Sequence, residues 1–242
     1  MTAEARIDRE QLSSLAASLG VSLDETALDR FDSYARMLCE WNEKINLTAI
    51  TDPREVVVKH FADSLSLLQT TRIPQKAALI DVGTGAGFPG LALKIARPDL
   101  QVTLLDSTKK KLMVLGEISS ALGLSVSLLH QRAEEAGRQA CFREQFDIAT
   151  ARAVANLREL AEYCLPFVRV GGCFLAMKSA KTDAELEEAK AAIRLLGGKT
   201  TAVHTVALSE AGERTVIEIK KVSPTSARYP RPSAKIARNP LK

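Results

Sequence analysis

Apolar residues recur at helical spacing through the N-terminal part of the chain. The clearest stretch follows Asp24, where one face of a helix carries Leu28, Phe31, Tyr34, Ala35, Leu38 and Trp41. Asp8 and Asp24 stand where N-caps belong, and Gly20 ends the first helical stretch. Thr51-Asp52-Pro53 begins a further helix, with proline at its first position. The pattern therefore predicts an N-terminal helical extension over residues 1–73.

From Gln75 onward the apolar pattern changes to short runs that alternate with helical stretches. The runs predict strands at 77–82, 101–106, 125–129, 146–151, 172–177, 201–207 and 215–221, with helices at 89–97, 108–122, 155–168 and 183–196. This alternation predicts an α/β fold whose mostly parallel sheet is covered on both faces. Gly212 lies in the turn region of a closing hairpin. We expect the α/β domain to occupy 74–222 and a C-terminal tail to follow over 223–242.

The stretch 79–90 combines a buried strand, a glycine loop and the start of a helix. Backbone amides and a helix N-terminus come close together in such a loop, which is typical of a nucleotide-type cofactor site. Pro89 fits the first position of the following helix. Gly85, Gly87 and Gly90 fit the GxGxxG spacing of a dinucleotide site, whereas Gly83, Gly85 and Gly87 fit GxGxG after a carboxylate.

Two aspartates at strand ends bear on the identity of the cofactor. Asp81 ends the first strand, and a pyrophosphate beside it would be repelled by on the order of 1 kcal/mol. A zwitterionic ligand with a sulfonium group would tolerate that charge. Asp106 ends the second strand, at the position where an acidic residue binds ribose hydroxyls. Asp106 fits a nucleoside of either cofactor, whereas Asp81 favours S-adenosylmethionine (SAM) over NAD.

Further polar residues follow the later strands. Arg132-Ala133-Glu134 comes after the third strand, Arg152 after the fourth and Lys178 after the fifth. Ligands bind at this carboxyl edge of a parallel sheet, although Glu134 taken alone could equally be a solvated carboxylate. An arginine leaving a buried strand is rarely only a surface charge. His60 and Asp63 lie on one helical face, a spacing that a structural pair would also show.

Composition and charge narrow the choice of partners. The chain has no apolar run of membrane-spanning length, no signal-peptide core and four cysteines without metal-ligand spacing, so we expect a cytoplasmic protein without a metal. Residues 220–242 hold seven basic residues and no acidic one, which leaves the rest of the chain with a net charge of −3. This tail fits either a polyanion partner or a disordered, solubilising end. Lys109, Lys110 and Lys111 likewise fit phosphate contact or a solvated helix face.

Several motifs together resemble the bacterial RsmG family, also called GidB. They are Asn46-Leu47-Thr48, Lys59-His60-Phe61-Ala62-Asp63-Ser64-Leu65, Asp81 to Gly90, Asp106-Ser107 with Lys109 to Lys111, Arg132-Ala133-Glu134 and Ala151-Arg152-Ala153-Val154. The resemblance covers most of the chain in the family's order and spacing. It implies a class I SAM-dependent methyltransferase that methylates N7 of a guanosine in the 530 loop of 16S ribosomal RNA, family position 527.

The resemblance also implies roles for individual residues. Cofactor-binding positions would be Asp81, Gly83, Gly85, Gly87, Phe88, Asp106, Ala133, Glu134 and Arg152, with Asp106 on the ribose and Ala133 and Glu134 on the adenine side. Arg152 would also border the target base, and Asn46, His60, Arg132 and Lys178 would lie near the cleft. The partner would be 16S RNA, the small ribosomal subunit or its assembly intermediate, and we expect a monomer.

Guanine N7 has an in-plane lone pair and no proton at neutral pH. Its methylation therefore requires in-line placement rather than a general base. Other hypotheses stay open at this point: an NAD-dependent oxidoreductase, a non-catalytic RNA-binding protein, or a methyltransferase of the same fold that acts on another RNA or on a small molecule.

Overall fold

The structure, a computed structural model, contains one seven-stranded sheet and describes residues 6–152, 155–179, 182–208 and 212–242. The strands are β1 (Ala78–Val82), β2 (Gln101–Asp106), β3 (Ser127–His130), β4 (Phe146–Arg152), β5 (Val168–Ser179), β6 (Gly198–Leu208) and β7 (Gly212–Lys221). Their order is β3-β2-β1-β4-β5-β7-β6, and β7 runs antiparallel to both of its neighbours. The predicted sheet and its closing hairpin are confirmed. Ala153 and Val154 of the fourth-strand motif lie outside the described residues.

Helices precede the sheet and cover it. They are α1 (Arg9–Ser18), α2 (Glu25–Asn42), α3 (Pro53–Val56), α4 (Asp63–Thr70), α5 (Gly90–Ala96), α6 (Lys109–Ala121), α7 (Ala133–Ala136), α8 (Leu157–Cys164), α9 (Asp183–Leu195) and α10 (Ser233–Arg238). The side chains of Asp8, Asp24 and Asp52 each accept a hydrogen bond from a backbone amide in the first turn of α1, α2 and α3. The three predicted N-caps are thus confirmed.

Three local predictions differ from the structure. The helix that begins at Pro53 contains a π-helical turn over Val57–Ala62, which carries His60. Pro89 precedes α5 instead of occupying its first position, because Gly90 takes that position and donates its amide to a carboxylate. Helix α8 ends at Cys164, since Pro166 has no amide hydrogen with which to continue it, and β5 begins at Val168.

The core lies on both faces of the sheet. On one face the N-terminal helices contribute Phe31, Tyr34 and Phe61 to a cluster with Leu91 and Leu104. On the other face, α8 and α9 pack against inward residues of the central strands. The N-terminal extension therefore shares a core with the sheet, and the predicted boundary at residue 73 stays a prediction. Among the described residues, no helix is long and apolar enough to cross a membrane.

The C-terminal tail is folded onto the body of the protein. Its Tyr229 and Ile236 are buried, and α10 packs against α8. The interpretation of this tail as a disordered end, which composition left open, does not describe the structure.

Candidate active site

Two cavities lie at the carboxyl edge of the sheet, each with a volume of about 430 Å³. The first cavity is lined by Val82, Gly83, Gly85, Leu105, Asp106, Ser107, Thr108, Lys111, Gln131, Arg132, Ala133, Glu134, Ala155, Glu159, Leu160, Tyr163 and Ser233. The second cavity is lined by Ile50, Lys59, His60, Asp63, Arg152, Met177, Lys178 and Arg214. Lys178 links them, because its Nζ donates to the carbonyl of Ala155 at 2.9 Å.

The glycine loop is fastened to β2 by its backbone. The amides of Gly83 and Thr84 both donate to the carbonyl of Leu105, at 2.9 and 3.0 Å. The amide of Gly85 donates to Oδ2 of Asp106 at 3.0 Å. Gly83 and Gly85 adopt positive φ and line the first cavity. A bound ligand would therefore meet loop backbone directly.

The carboxylate of Asp81 fixes the conformation of this loop. Its Oδ2 accepts from Thr84 Oγ1 at 2.7 Å and from the amide of Gly90 at 2.9 Å. Oδ1 is buried and has no hydrogen-bond partner among the described residues. Burial raises the pKa of Asp81 to about 6, and the two hydrogen bonds and the charge of Arg152 oppose that rise. Asp81 is fully buried and is not part of the described lining of the first cavity.

Asp106 and Glu134 place two carboxylates in the first cavity. Asp106 accepts from the amide of Thr108 at 2.8 Å in addition to Gly85, so its orientation is set by backbone on both sides. Glu134 lies in the first turn of α7, and both carboxylates are nearly buried. Carboxylates accept from hydroxyl and amine donors, and apolar walls of Val82, Leu105 and Leu160 surround them. Volume, loop backbone and acceptors together fit an adenosine-type cofactor.

Phe88 of the glycine loop packs against two other rings. It stacks on His60 with ring centroids 4.4 Å apart and on Tyr34 at 5.2 Å. The Tyr34 hydroxyl donates to the carbonyl of Ala86 at 2.5 Å. The guanidinium of Arg152 lies over the same Phe88 ring at 5.0 Å. The loop therefore packs against the N-terminal helices. Its Phe88 contacts His60 and Arg152, which line the second cavity.

Asp63 joins two arginines of the second cavity. Its Oδ2 accepts from Nη1 of Arg152 at 2.8 Å, and its Oδ1 accepts from Nε of Arg214 at 3.0 Å. Arg152 also donates to the carbonyl of Lys59 at 2.9 Å. Asp63 is almost fully buried, so the two cations offset the cost of burying its charge. The pairing fixes both guanidinium groups at the cavity wall.

His60 is neutral in this network. Burial lowers its pKa to about 3, and the positive charge of Arg152 adds to the effect. Nδ1 lies 3.1 Å from Nη2 of Arg152, and a guanidinium only donates, so Nδ1 accepts. Nε2 lies 2.8 Å from Thr48 Oγ1, and Nδ1 also lies 3.2 Å from the carbonyl of Lys59, which accepts from the same Arg152. The Asn46-Leu47-Thr48 and Lys59 to Leu65 motifs thereby meet at one imidazole.

The structure brings together three of the five residues expected near the cleft. His60, Arg152 and Lys178 line the second cavity, where Lys178 also pairs with Glu185 at 2.7 Å. Arg132 lines the first cavity instead. Asn46 is exposed and belongs to neither described lining.

Sequence reasoning missed several residues of this region. Asn42, not Asn46, shapes the Asn46-Leu47-Thr48 turn, because its Oδ1 accepts from the amides of Leu47 and Thr48. Arg214, Tyr34 and Ser233 were also missed, since each reaches the site from a distant part of the chain. Within the described residues, no group of three or more His, Cys, Asp and Glu side chains could hold a metal ion.

Comparison with known proteins identifies the family. Residues 27–216 match the sequence model of GidB, described as rRNA small subunit methyltransferase G. The chain belongs to the GidB family. The ribosomal RNA small subunit methyltransferase G of an Exiguobacterium species is 50% identical over 224 residues, which are 92% of this chain and 94% of that protein. The protein of the same name from Acetivibrio thermocellus is 48% identical over 235 residues, 96% of each chain.

Solved structures agree on the fold. A SAM-dependent O-methyltransferase from Thermotoga maritima superposes with a TM-score of 0.52 at 15% identity, over 78% of this GidB-family chain and 72% of that one. At such low identity the likeness shows the fold alone, which is that of class I SAM-dependent methyltransferases.

Proposed function

We propose that this chain transfers a methyl group from SAM to N7 of guanosine 527 in the 530 loop of 16S ribosomal RNA. Membership of the GidB family supports the RNA substrate and argues against the oxidoreductase hypothesis. The observation that carries the proposal is the pair of cavities at one sheet edge, linked where Lys178 contacts Ala155. The first would hold the cofactor and the second the target guanine.

The cofactor would be held mainly by backbone and carboxylates of the first cavity. Gly83 and Gly85 would bring loop backbone to the ligand, and Asp106 would accept from ribose hydroxyls. Ala133 and Glu134 would border the adenine side, and Phe88 keeps the loop in place. SAM supplies a methyl group on a cationic sulfur that a neutral nucleophile can attack.

The protein's part in the reaction is placement. Guanine N7 already has its lone pair, so no side chain removes a proton, and positioning can supply roughly 7 to 11 kcal/mol. Arg152 and Lys178 are suited to guanine O6 and phosphate oxygens, because both offer several N–H donors. The methylated base is cationic, and the carboxylates of Asp63 and Glu185 offset the nearby cations. Neutral His60 adds no further positive charge.

Labelled SAM and small ribosomal subunits that lack the modification test this function. We expect label in 16S RNA, with transfer falling steeply between about 50 and 200 mM salt because phosphate contacts release counterions. Arg152→Lys keeps the charge but loses the planar fork, and its transfer rate should fall about 10- to 100-fold.

Arg169→Lys provides the matched control. Arg169 and Lys178 lie at opposite ends of β5, and Arg169 pairs with Asp147. Its replacement should leave transfer unchanged. Label in a small molecule only, or transfer that does not respond to salt, would support a small-molecule methyltransferase instead.

We further propose that the protein acts in the cytoplasm as a monomer. The match to a family of rRNA small subunit methyltransferases supports the cytoplasmic site of action. Arg132, at the rim of the first cavity, and exposed Asn46 would contact RNA outside the target base.

A further inference from the structure

The C-terminal segment after β7 is anchored by an ion pair between Arg231 and Glu162 of α8. The side chain of Glu162 is fully buried, and that of Arg231 is 12% exposed. Nε of Arg231 donates to Oε1 at 2.9 Å, Nη2 donates to Oε2 at 2.7 Å, and the backbone amide of Arg231 donates to Oε1 at 2.8 Å. With the contact of Nε to Oε2 at 3.1 Å, four bonds to one buried carboxylate leave this residue little freedom.

Two further arginines hold the backbone before Arg231. Arg143 donates to the carbonyls of Thr225, Ser226 and Tyr229, at 2.5 to 3.1 Å. Arg138 donates to the carbonyl of Arg228 at 3.2 Å. These side chains donate hydrogen bonds to backbone carbonyls that would otherwise face water. The path of the segment is therefore specified by the body of the protein over several residues.

Helix α8 is shared between this segment and the first cavity. Glu162 faces the segment, whereas Glu159, Leu160 and Tyr163 line the cavity. Ser233, two residues after Arg231, lines the same cavity. The anchored position of Arg231 thus determines where Ser233 stands relative to the cavity.

We propose that residues 231–238 form an outer wall of the cofactor cavity and that Arg231 is the positioning residue that seats it. The inference rests on the proposed function, because the first cavity is taken as the SAM site. Ser233 is the residue through which this segment lines the cavity. Loosening the wall raises the dissociation constant for SAM and leaves turnover at saturating SAM unchanged.

Calorimetric titration of the full-length protein with SAM tests the wall. Ser233→Leu places extra bulk in the cavity and should raise the dissociation constant about tenfold. Ala227→Leu makes a similar addition at an exposed position that precedes residues 231–238 and lies outside the described lining, and it should bind like the wild type. Equal affinity of wild type and Ser233→Leu would overturn the proposal.

Removal of the anchor tests the positioning role. Arg231→Gln should raise the KM for SAM about fivefold at unchanged kcat. The reason is that residues 231–238 would occupy their position at the cavity for a smaller fraction of the time. Arg228→Gln removes an exposed arginine of the same segment and should match the wild type. Since Arg231→Gln leaves Glu162 buried without a cation, the double variant Glu162→Gln/Arg231→Gln controls for folding and should show the same KM change.

The outcomes separate this inference from the proposed function. A wild type that does not bind SAM contradicts both. A wild type that binds SAM, with unchanged affinity in Ser233→Leu and in the folded double variant, overturns the wall alone.

Discussion

The imidazole of His60 illustrates how single residues of this site are tuned by their neighbours. Burial and Arg152 lower its pKa to about 3, and both ring nitrogens are engaged, by Arg152 and Thr48. A neutral ring with both nitrogens engaged is poorly suited to take a proton from a substrate. This arrangement agrees with a reaction that needs no base.

The pH dependence of stability tests the neutral state of His60. An unfolded histidine has a pKa near 6.5, so between pH 3 and 6.5 the unfolded chain binds more protons than the folded one. The contribution of His60 to the free energy of unfolding is complete above pH 6.5 and is lost as the pH falls. Urea denaturation measures the free energy of unfolding at pH 6.5 and at pH 4.5. Between these two pH values, His60→Gln should lose about 1 to 2 kcal/mol less of this free energy than the wild type.

Asp81 changes the pH dependence of stability in the opposite direction. It is present in both the wild type and His60→Gln. Burial raises its pKa to about 6, so its contribution to stability is lost as the pH rises through that value. The difference between wild type and His60→Gln therefore isolates the imidazole. Equal losses in the two proteins would show that His60 is protonated in the folded state near pH 5.

Site residues whose role depends on their neighbours along the chain were predictable from the sequence. Asp106 and Glu134 follow their strands directly, and the structure places both in the first cavity. Asp63 was noted only as a neighbour of His60, because its partners Arg152 and Arg214 lie 89 and 151 positions away along the chain. Pattern and spacing carry no information about such contacts.

The glycine loop is the element on which the cofactor cavity depends, and it is held tightly on the side of the helices. Gly87 has φ +98°, and a Cβ there would stand 2.4 Å from the Tyr34 hydroxyl and 2.9 Å from Leu115. The tyrosine hydroxyl is also bonded to Ala86 within the loop. Any side chain at this position must displace the ring that backs Phe88.

Gly87→Ala should therefore destabilise the protein by about 3 kcal/mol and weaken SAM binding. The cost combines a positive φ with overpacking of the core. Thermal denaturation and calorimetry with SAM measure the two effects.

Gly123→Ala separates the two causes. Gly123 has φ +65° with nothing within 4 Å of an added Cβ, so its replacement should cost only about 1 to 2 kcal/mol and spare SAM binding. Equal effects of the two variants would mean that the contact with Tyr34 does not constrain the loop.

Most helices and strands were predictable because their signals are local. Caps at Asp8, Asp24 and Asp52 and alternating apolar runs gave the order and type of nearly every element. The π-helical turn over Val57–Ala62 was not predictable from the pattern. Its residues pack against the loop and Arg152, and such tertiary contacts override helical periodicity.

In the whole molecule, the cavities are built from distant parts of the chain. The N-terminal helices bring His60 and Asp63 to one side of β4, and the C-terminal segment brings Ser233 to the other cavity. The mostly parallel sheet follows from the alternation of strands and helices, but the positions of these two additions do not. The family resemblance, rather than periodicity, pointed to an RNA substrate.

The methylated nucleotide itself is the most direct test of the proposed function. Unmodified small subunits would be incubated with the full-length chain and SAM, and the 16S RNA digested and sequenced by tandem mass spectrometry. We expect a single new methyl group, on the base of guanosine 527 at N7. A methyl group on another nucleotide, on another atom of that guanine, or on no RNA would contradict it.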